Sequence, residues 1–263
     1  MDPTPPAPWT EHADINGILG VLLDETRQIL GDRLVGLYLY GSLVTGDFDR
    51  ESSDIDLLAV TSSDIDRLEF ARLDEMHQDV VNRYKQWENR LEIAYLSATA
   101  LQTYRWRASD IAIISPGEPF HVKEAGKDWL INWYTVRERG IALFGPSPEA
   151  LISPITREEF LQHVAAQTRE WREWIERSEY GHTRPYQAYA ILNMCRALYA
   201  LRNGEQASKK QAALWAAQAF PEWSTLIDSA LAWRSAWRDK DVDHEATFPE
   251  TVRFVHFAID QIA

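Results

Sequence analysis

The stretch LYLYGSLVTGDFDRESSDIDLLAV, Leu37 to Val60, decides the fold. It contains the end of one apolar run, Leu34 to Tyr40, and the whole of a second, Leu57 to Val60. Gly41-Ser42, a turn region with Gly46, Asp47 and Asp49, and then Ser53-Asp54-Ile55-Asp56 join them. Both runs are short, partly β-branched or aromatic, and bounded by turn residues, which predicts two strands. On a strand, side chains i and i+2 share a face about 7 Å apart, so Asp54 and Asp56 project together while Ile55 turns into the core. Paired carboxylates suit hard cations such as Mg²⁺. Two such ions roughly 4 Å apart clamp the attacking and leaving oxygens of a phosphoryl or nucleotidyl transfer. Gly41 lets the backbone approach a ligand closely. If Ser42 opens a short helix, Ser42 to Thr45, its free N–H groups form an anion site, so one unit would hold a triphosphate and its metals.

A Gly-Ser after one strand, followed by Asp-x-Asp at the entry of the next, resembles the core motif of the nucleotidyltransferase superfamily. Both halves stand here, with the apolar strand behind them. The chain carries its own control. Ser62-Ser63-Asp64-Ile65-Asp66 nearly copies Ser52 to Asp56, but no Gly-Ser precedes it, and Arg67 to Leu73 follows with helical spacing. Ser63 or Asp64 is therefore expected to cap a helix, while Asp47, Asp49 and Glu51 are expected to decorate the turn, with an approach of Asp47 or Asp49 to the cleft as the alternative.

With 263 residues the chain fits one large domain or two modest ones. Its 27 basic residues against 40 acidic ones leave a net charge of −13, which argues against a nucleic-acid-binding surface and suits a polycationic substrate. One cysteine, Cys195, rules out an intrachain disulfide and is compatible with a reducing cytoplasm. No apolar segment approaches 18 residues, so no membrane span is expected. The Pro-rich opening, residues 1 to 10, lacks a basic-then-apolar signal pattern and reads as an extended arm.

Helical spacing runs from Ile15 to Leu30, with Gly31 as its stop, and an amphipathic helix is expected over 64 to 88. Leu91 to Leu96 reads as a third strand in which Glu92 interrupts the apolar run. A lone carboxylate on a central strand is costly unless paired, hydrogen-bonded or metal-bound. In the superfamily the third carboxylate sits on the next core strand beside the Asp-x-Asp pair, and the resemblance gives Glu92 that place. Residues 97 to 124 are mixed, with a loop at Ser115 to Pro119. A helix is expected over Lys127 to Arg139 and a short strand over Ile141 to Phe144. Pro148 and Pro154 mark a linker, which puts the boundary near Ile152: an α/β domain of mixed sheet and flanking helices over 1–152, then an all-α helical bundle over 153–263. Helices are expected at about 156–178, 185–203, 208–219, 222–238 and 247–262.

The run YAILNMCRALYALRNGEQASKKQAALWA, Tyr189 to Ala216, and the segment Gly140 to Pro146 resemble the streptomycin/spectinomycin adenylyltransferases, a bacterial aminoglycoside-resistance family. With the core motif, the resemblance covers most of residues 34 to 220. It implies that Arg196 and Lys209 reach nucleotide phosphates, with Lys210 an adjacent competitor. It also implies carboxylates just before the helix that carries the arginine, to hold the drug. Here that stretch, His182 to Gln187, has no acid. Acids stand upstream at Glu173, Glu176 and Glu179, beside Trp171, Trp174 and Tyr180, where they either form a shifted amine site or make solvated pairs on a helix face.

The expectation is a cytoplasmic enzyme that moves AMP from ATP, with two Mg²⁺, to a hydroxyl of a small cationic antibiotic and releases pyrophosphate. Gly41 and Ser42 hold the phosphates, Ser53 supports them or caps the strand entry, and Asp54 and Asp56 ligate metal. Glu92 serves as general base, as a metal ligand, or as both. A protein or another small hydroxyl compound as acceptor, and a non-catalytic nucleotide-binding regulator, are the alternatives.

Overall fold

The computed structural model describes residues 8–177, 182–234 and 245–262. Most of the expected N-terminal arm, Glu179, Tyr180 and the last turn expected of the helix at 222–238 lie outside the described residues. The chain divides into two compact units. One comprises Met1–Phe48 and Ser53–Pro154, the other Asp49–Ser52 and Ile155–Ala263.

The first unit is a six-stranded mixed sheet with helices. α1 (Ala13–Leu30) buries Ile15, Ile18, Leu19, Leu22, Leu23 and Leu30 along one stripe, the face that 3.6-residue periodicity sets. β1 (Leu34–Tyr40) follows, then the four-residue α2 (Ser42–Thr45), β2 (Ile55–Thr61), α3 (Arg67–Arg83), β3 (Leu91–Ser97) and α4 (Ala98–Thr103). A hairpin of β4 (Ser109–Ser115) and β5 (Glu118–Ala125) leads to α5 (Leu130–Arg139), β6 (Ile141–Phe144) and α6 (Pro148–Leu151). The strand order is β5-β4-β3-β2-β1-β6. Only β2 and β3 pair in parallel, with α3 as their crossover, and the other pairs are antiparallel. The three central strands are buried except at their second position, which is why they read as near-continuous apolar runs. In β2 and β3 that second position is Asp56 and Glu92.

Two features differ from the sequence reading. The cap of α3 is Asp66, not Ser63 or Asp64. Its Oδ1 accepts from the N–H of Leu68 and of Glu69 at 2.9 Å, and Glu69 Oε2 accepts from the Asp66 N–H at 3.0 Å. This reciprocal capping box outcompetes the single hydrogen bond an earlier residue would offer. Second, residues 109–125 form a hairpin around Pro116-Gly117, where Gly117 adopts φ +81°. β5 is the sheet edge, and its Glu118, His121, Lys123 and Glu124 erase the apolar alternation that marks an inner strand.

The second unit is helical, with α7 (Arg157–Arg177), α8 (Arg184–Asn203), α9 (Lys209–Ala219), α10 (Ser224–Trp233) and α11 (Phe248–Asp260). α8 packs against the other four through Ala188, Ile191, Leu192, Cys195 and Leu198. Burial pushes the Cys195 thiol up to about 12, so it acts as a small packed hydrophobe. Among the described residues no helix is long and apolar enough to cross a membrane.

His77 on α3 supplies a stability test. It is 1% exposed, its Nε2 lies 2.9 Å from the Tyr95 hydroxyl, and its ring sits edge-on to Phe120 at 4.8 Å. Burial lowers its pKa from 6.5 to about 3. The unfolded chain takes up a proton below pH 6.5 that the folded chain refuses until about pH 3, so stability falls with pH across that window. Between pH 7 and pH 5 this one group accounts for a loss of about 2 kcal/mol. Urea titrations at both pH values should show that loss in the wild type, and show it reduced by that amount in His77→Gln.

Candidate active site

β1, β2 and β3 set three side chains in one row. Tyr40 pairs in register with Asp56, and Asp56 pairs with Glu92. Residues directly opposite in neighbouring strands share a face, so the phenol and the two carboxylates project together. Asp54 stands just before β2, two residues from Asp56 and on the same side. Carboxylate oxygens of Asp54, Asp56 and Glu92 all lie within 4.8 Å of one another, and all three residues are half-buried. Among the described residues no other group of three acids, histidines or cysteines could hold a metal ion. An all-oxygen donor set of this kind fits a hard divalent cation such as Mg²⁺ or Mn²⁺, and lacks the nitrogen and sulfur that would favour zinc.

The Gly-Ser turn closes over this group. Gly41 has φ +71°, and a Cβ there would lie 1.8 Å from Asp56 Oδ2. Only glycine permits both the backbone conformation and the approach to the carboxylate. Ser42 opens α2 as expected, and its Oγ is buried without a hydrogen-bond partner, an unsatisfied group of the kind that a ligand oxygen would complete.

Ser53 is 3% exposed. Its carbonyl accepts from Arg90 Nε at 2.8 Å and also from Arg90 Nη2. The Ile55 N–H donates to the Arg90 carbonyl at 2.9 Å, and the guanidinium lies 4.6 Å from the centre of the Trp87 ring. Arg90 thus ties the entry of β2, with Asp54, to the entry of β3, with Glu92. The Tyr40 hydroxyl donates to Glu92 Oε1 at 3.0 Å. Burial, and then the charges of Glu92, Asp56 and Asp54, hold its pKa well above the usual phenol range. Sequence reasoning missed Tyr40 and Arg90. The available signal was position: one precedes the Gly-Ser, the other stands two residues before Glu92. Asp49 makes a turn as expected, its Oδ1 accepting at 2.9 Å from the N–H of Glu51 and of Ser52 and from the Ser52 hydroxyl.

The two predicted phosphate contacts belong to the helical unit. Arg196 is half-buried on α8, on the stripe that carries Tyr189 and Asn193 at i−7 and i−3. Lys209 opens α9, and its Nζ lies 5.5 Å from the centre of the Tyr189 ring. Lys210 is exposed. Of the upstream acids, Glu173 pairs with Arg177 at 3.3 Å, and a Glu176 carboxylate oxygen lies 3.3 Å from His256 Nε2. Arg172 pairs with Asp260 at 2.6 Å. Gln187, in the acid-free stretch, is fully buried. It accepts from the hydroxyls of Thr247 at 2.8 Å and Thr251 at 2.9 Å, and donates to the His182 carbonyl at 2.7 Å.

Known proteins agree with both units. Residues 21–98 match the family profile of the nucleotidyltransferase domain, and residues 150–261 match the C-terminal domain of aminoglycoside adenylyltransferase. Spectinomycin 9-adenylyltransferases of Staphylococcus aureus strains Mu50 and N315 are each 24% identical over 214 residues, covering 78% of this chain and 79% of theirs. A spectinomycin adenyltransferase from Enterococcus faecialis, solved with ATP and spectinomycin, superposes with a TM-score of 0.69 at 16% identity, over 91% of this chain and 98% of that one. The chain is an enzyme with a nucleotidyltransferase domain over residues 21–98 and resembles the streptomycin/spectinomycin adenylyltransferases.

Proposed function

We propose that the chain transfers AMP from ATP to a hydroxyl of an aminoglycoside-type antibiotic of the streptomycin/spectinomycin class, releasing pyrophosphate. The observation that carries this reading is the cluster of three carboxylates within 4.8 Å of one another, beneath a glycine turn that admits no side chain. The similarity to spectinomycin adenylyltransferases supports this acceptor class. Residues 1–152 form the nucleotidyltransferase domain and 153–263 the helical nucleotide- and substrate-binding domain.

Asp54, Asp56 and Glu92 would hold Mg²⁺, two ions on this reading, and the bound metal would supply charge neutralisation at the triphosphate and polarisation of the phosphorus centre. The backbone N–H groups at Gly41 and Ser42, with the unsatisfied Ser42 hydroxyl, hold the β- and γ-phosphates. Ser53, fixed through its carbonyl by Arg90, sets the position of Asp54. Arg196 and Lys209 add cationic contacts to the phosphates. Glu92 takes the proton of the attacking hydroxyl. The resulting oxygen forms a bond to the α-phosphorus, the bond from that phosphorus to the bridging oxygen breaks, and pyrophosphate carries the charge away.

The acceptor has one rival. The family places drug-binding acids just before the arginine helix, and here that stretch holds Gln187 in an internal hydrogen-bond network. Of the nearby acids, Glu173 is ion-paired with Arg177 and Glu176 lies beside the His256 ring. This favours, as a second reading, a protein or another small hydroxyl compound as acceptor.

Pyrophosphate release from MgATP, with spectinomycin and streptomycin offered separately, tests the proposal. Release should depend on a drug and fall by about 10² to 10⁴ in Glu92→Gln. Wild-type activity in Asp54→Asn/Asp56→Asn would contradict the mechanism, and label from α-labelled ATP appearing on protein would favour the second acceptor class.

Gly41→Ala should fold but lose about 10² in kcat, because its Cβ displaces the Asp56 carboxylate by an ångström or more. Its stability should fall by the strain of a side chain at φ +71° and ψ −144°, about 1–3 kcal/mol. Unchanged kcat would show that the turn does not govern the carboxylates. Arg196→Ala and Lys209→Ala should each raise the KM for ATP by roughly tenfold or more; an unchanged KM in both would remove them from the phosphate site.

A further inference from the structure

We propose that Tyr40 is a positioning residue for Glu92, its phenolic O–H fixing the carboxylate in the orientation from which it binds metal and accepts the proton. This rests on the role proposed for Glu92.

Tyr40 and Glu92 lie two strands apart, with β2 and Asp56 between them. That separation is about 9–10 Å. The phenol and the Glu92 side chain reach toward each other and bridge it together through the hydrogen bond between them, and a phenylalanine would keep the ring but lose the donor. The hydroxyl reaches Glu92 Oε1 at 3.0 Å. An ionised carboxylate is acceptor-only, so the proton belongs to Tyr40. The ring is 5% exposed and therefore held by packing, and a tyrosine has only two side-chain torsions to fix. A rigid donor on one oxygen removes the rotational freedom of a carboxylate that has two acidic neighbours within 4.8 Å. Without that donor, repulsion from Asp54 and Asp56 favours rotation of Glu92 away from the shared site. Tyr40 keeps its proton throughout the reaction, and no bond to it forms or breaks.

Tyr40→Phe, compared with wild type at matched Tm, decides the matter through two readouts. With MgATP and spectinomycin, kcat should drop about 10- to 50-fold, with both KM values within roughly threefold of wild type. Mn²⁺ binding to the chain alone, measured by calorimetry or electron paramagnetic resonance and needing no acceptor, should weaken about three- to tenfold. In Glu92→Asp the carboxylate is withdrawn by one methylene from the phenol, so adding Tyr40→Phe should cost less than about twofold more. Wild-type kcat and Mn²⁺ affinity in Tyr40→Phe would overturn the inference. So would an equal cost of Tyr40→Phe in the wild-type and Glu92→Asp backgrounds, the mark of a packing role independent of the carboxylate. A fully active Glu92→Gln would overturn the proposed role of Glu92 and this inference with it. An inactive Glu92→Gln beside a fully active Tyr40→Phe would overturn this inference alone.

Discussion

Repulsion among three carboxylates is the constraint around which the first unit is built. Asp54, Asp56 and Glu92 bring their oxygens within 4.8 Å. At an effective dielectric constant of about 20, each pair of full charges at that distance costs about 3 kcal/mol. The group persists because the backbone leaves it no choice. Asp56 and Glu92 are register partners in a parallel pair, and their strands are buried along the rest of their length. A one-residue slip would turn both acids into the core and expose the apolar face. Arg90 locks the two strand entries together through Ser53 and Ile55. On the proposed reading, a bound divalent cation would turn this repulsion into attraction and relieve the cost.

How much of this was legible in the sequence follows from how local each feature is. The Asp54–Asp56 pair is an i, i+2 relation on one strand, and the Gly41 turn needs only neighbours in the chain, so both could be read directly. Glu92 stood out as a charge within an apolar run. Tyr40 and Arg90 did not, because each acts across strands on a partner more than 30 positions away, and nothing in their own neighbourhood distinguishes them from a core ring and a surface cation. The β4–β5 hairpin was missed because an edge strand is allowed to be polar. The α3 cap was placed too early because three candidates crowd residues 63 to 66, and only the reciprocal bond from Glu69 chooses Asp66.

The helical unit shows a different balance. Its core follows from apolar spacing and small residues on α8 and α9, and the expected helices stand within a few residues of their places. The positions that would choose an acceptor are less conventional. Gln187 serves a hydrogen-bond network with Thr247 and Thr251, Glu173 is ion-paired with Arg177, and Glu176 lies beside His256. Specificity is a difference of affinities, and a few changed polar groups alter it without disturbing the packing that makes the unit recognisable.

The central claim is that Asp54, Asp56 and Glu92 form a single metal-binding centre. Its most direct test is an anomalous difference map from crystals grown with Mn²⁺ and a non-hydrolysable ATP analogue. The account predicts Mn²⁺ peaks within coordination distance of all three carboxylates, with analogue phosphate oxygens completing the shell and Gly41-Ser42 against the phosphates. Nucleotide bound with no metal at these carboxylates, or with a lysine or arginine occupying the space between them, would contradict it.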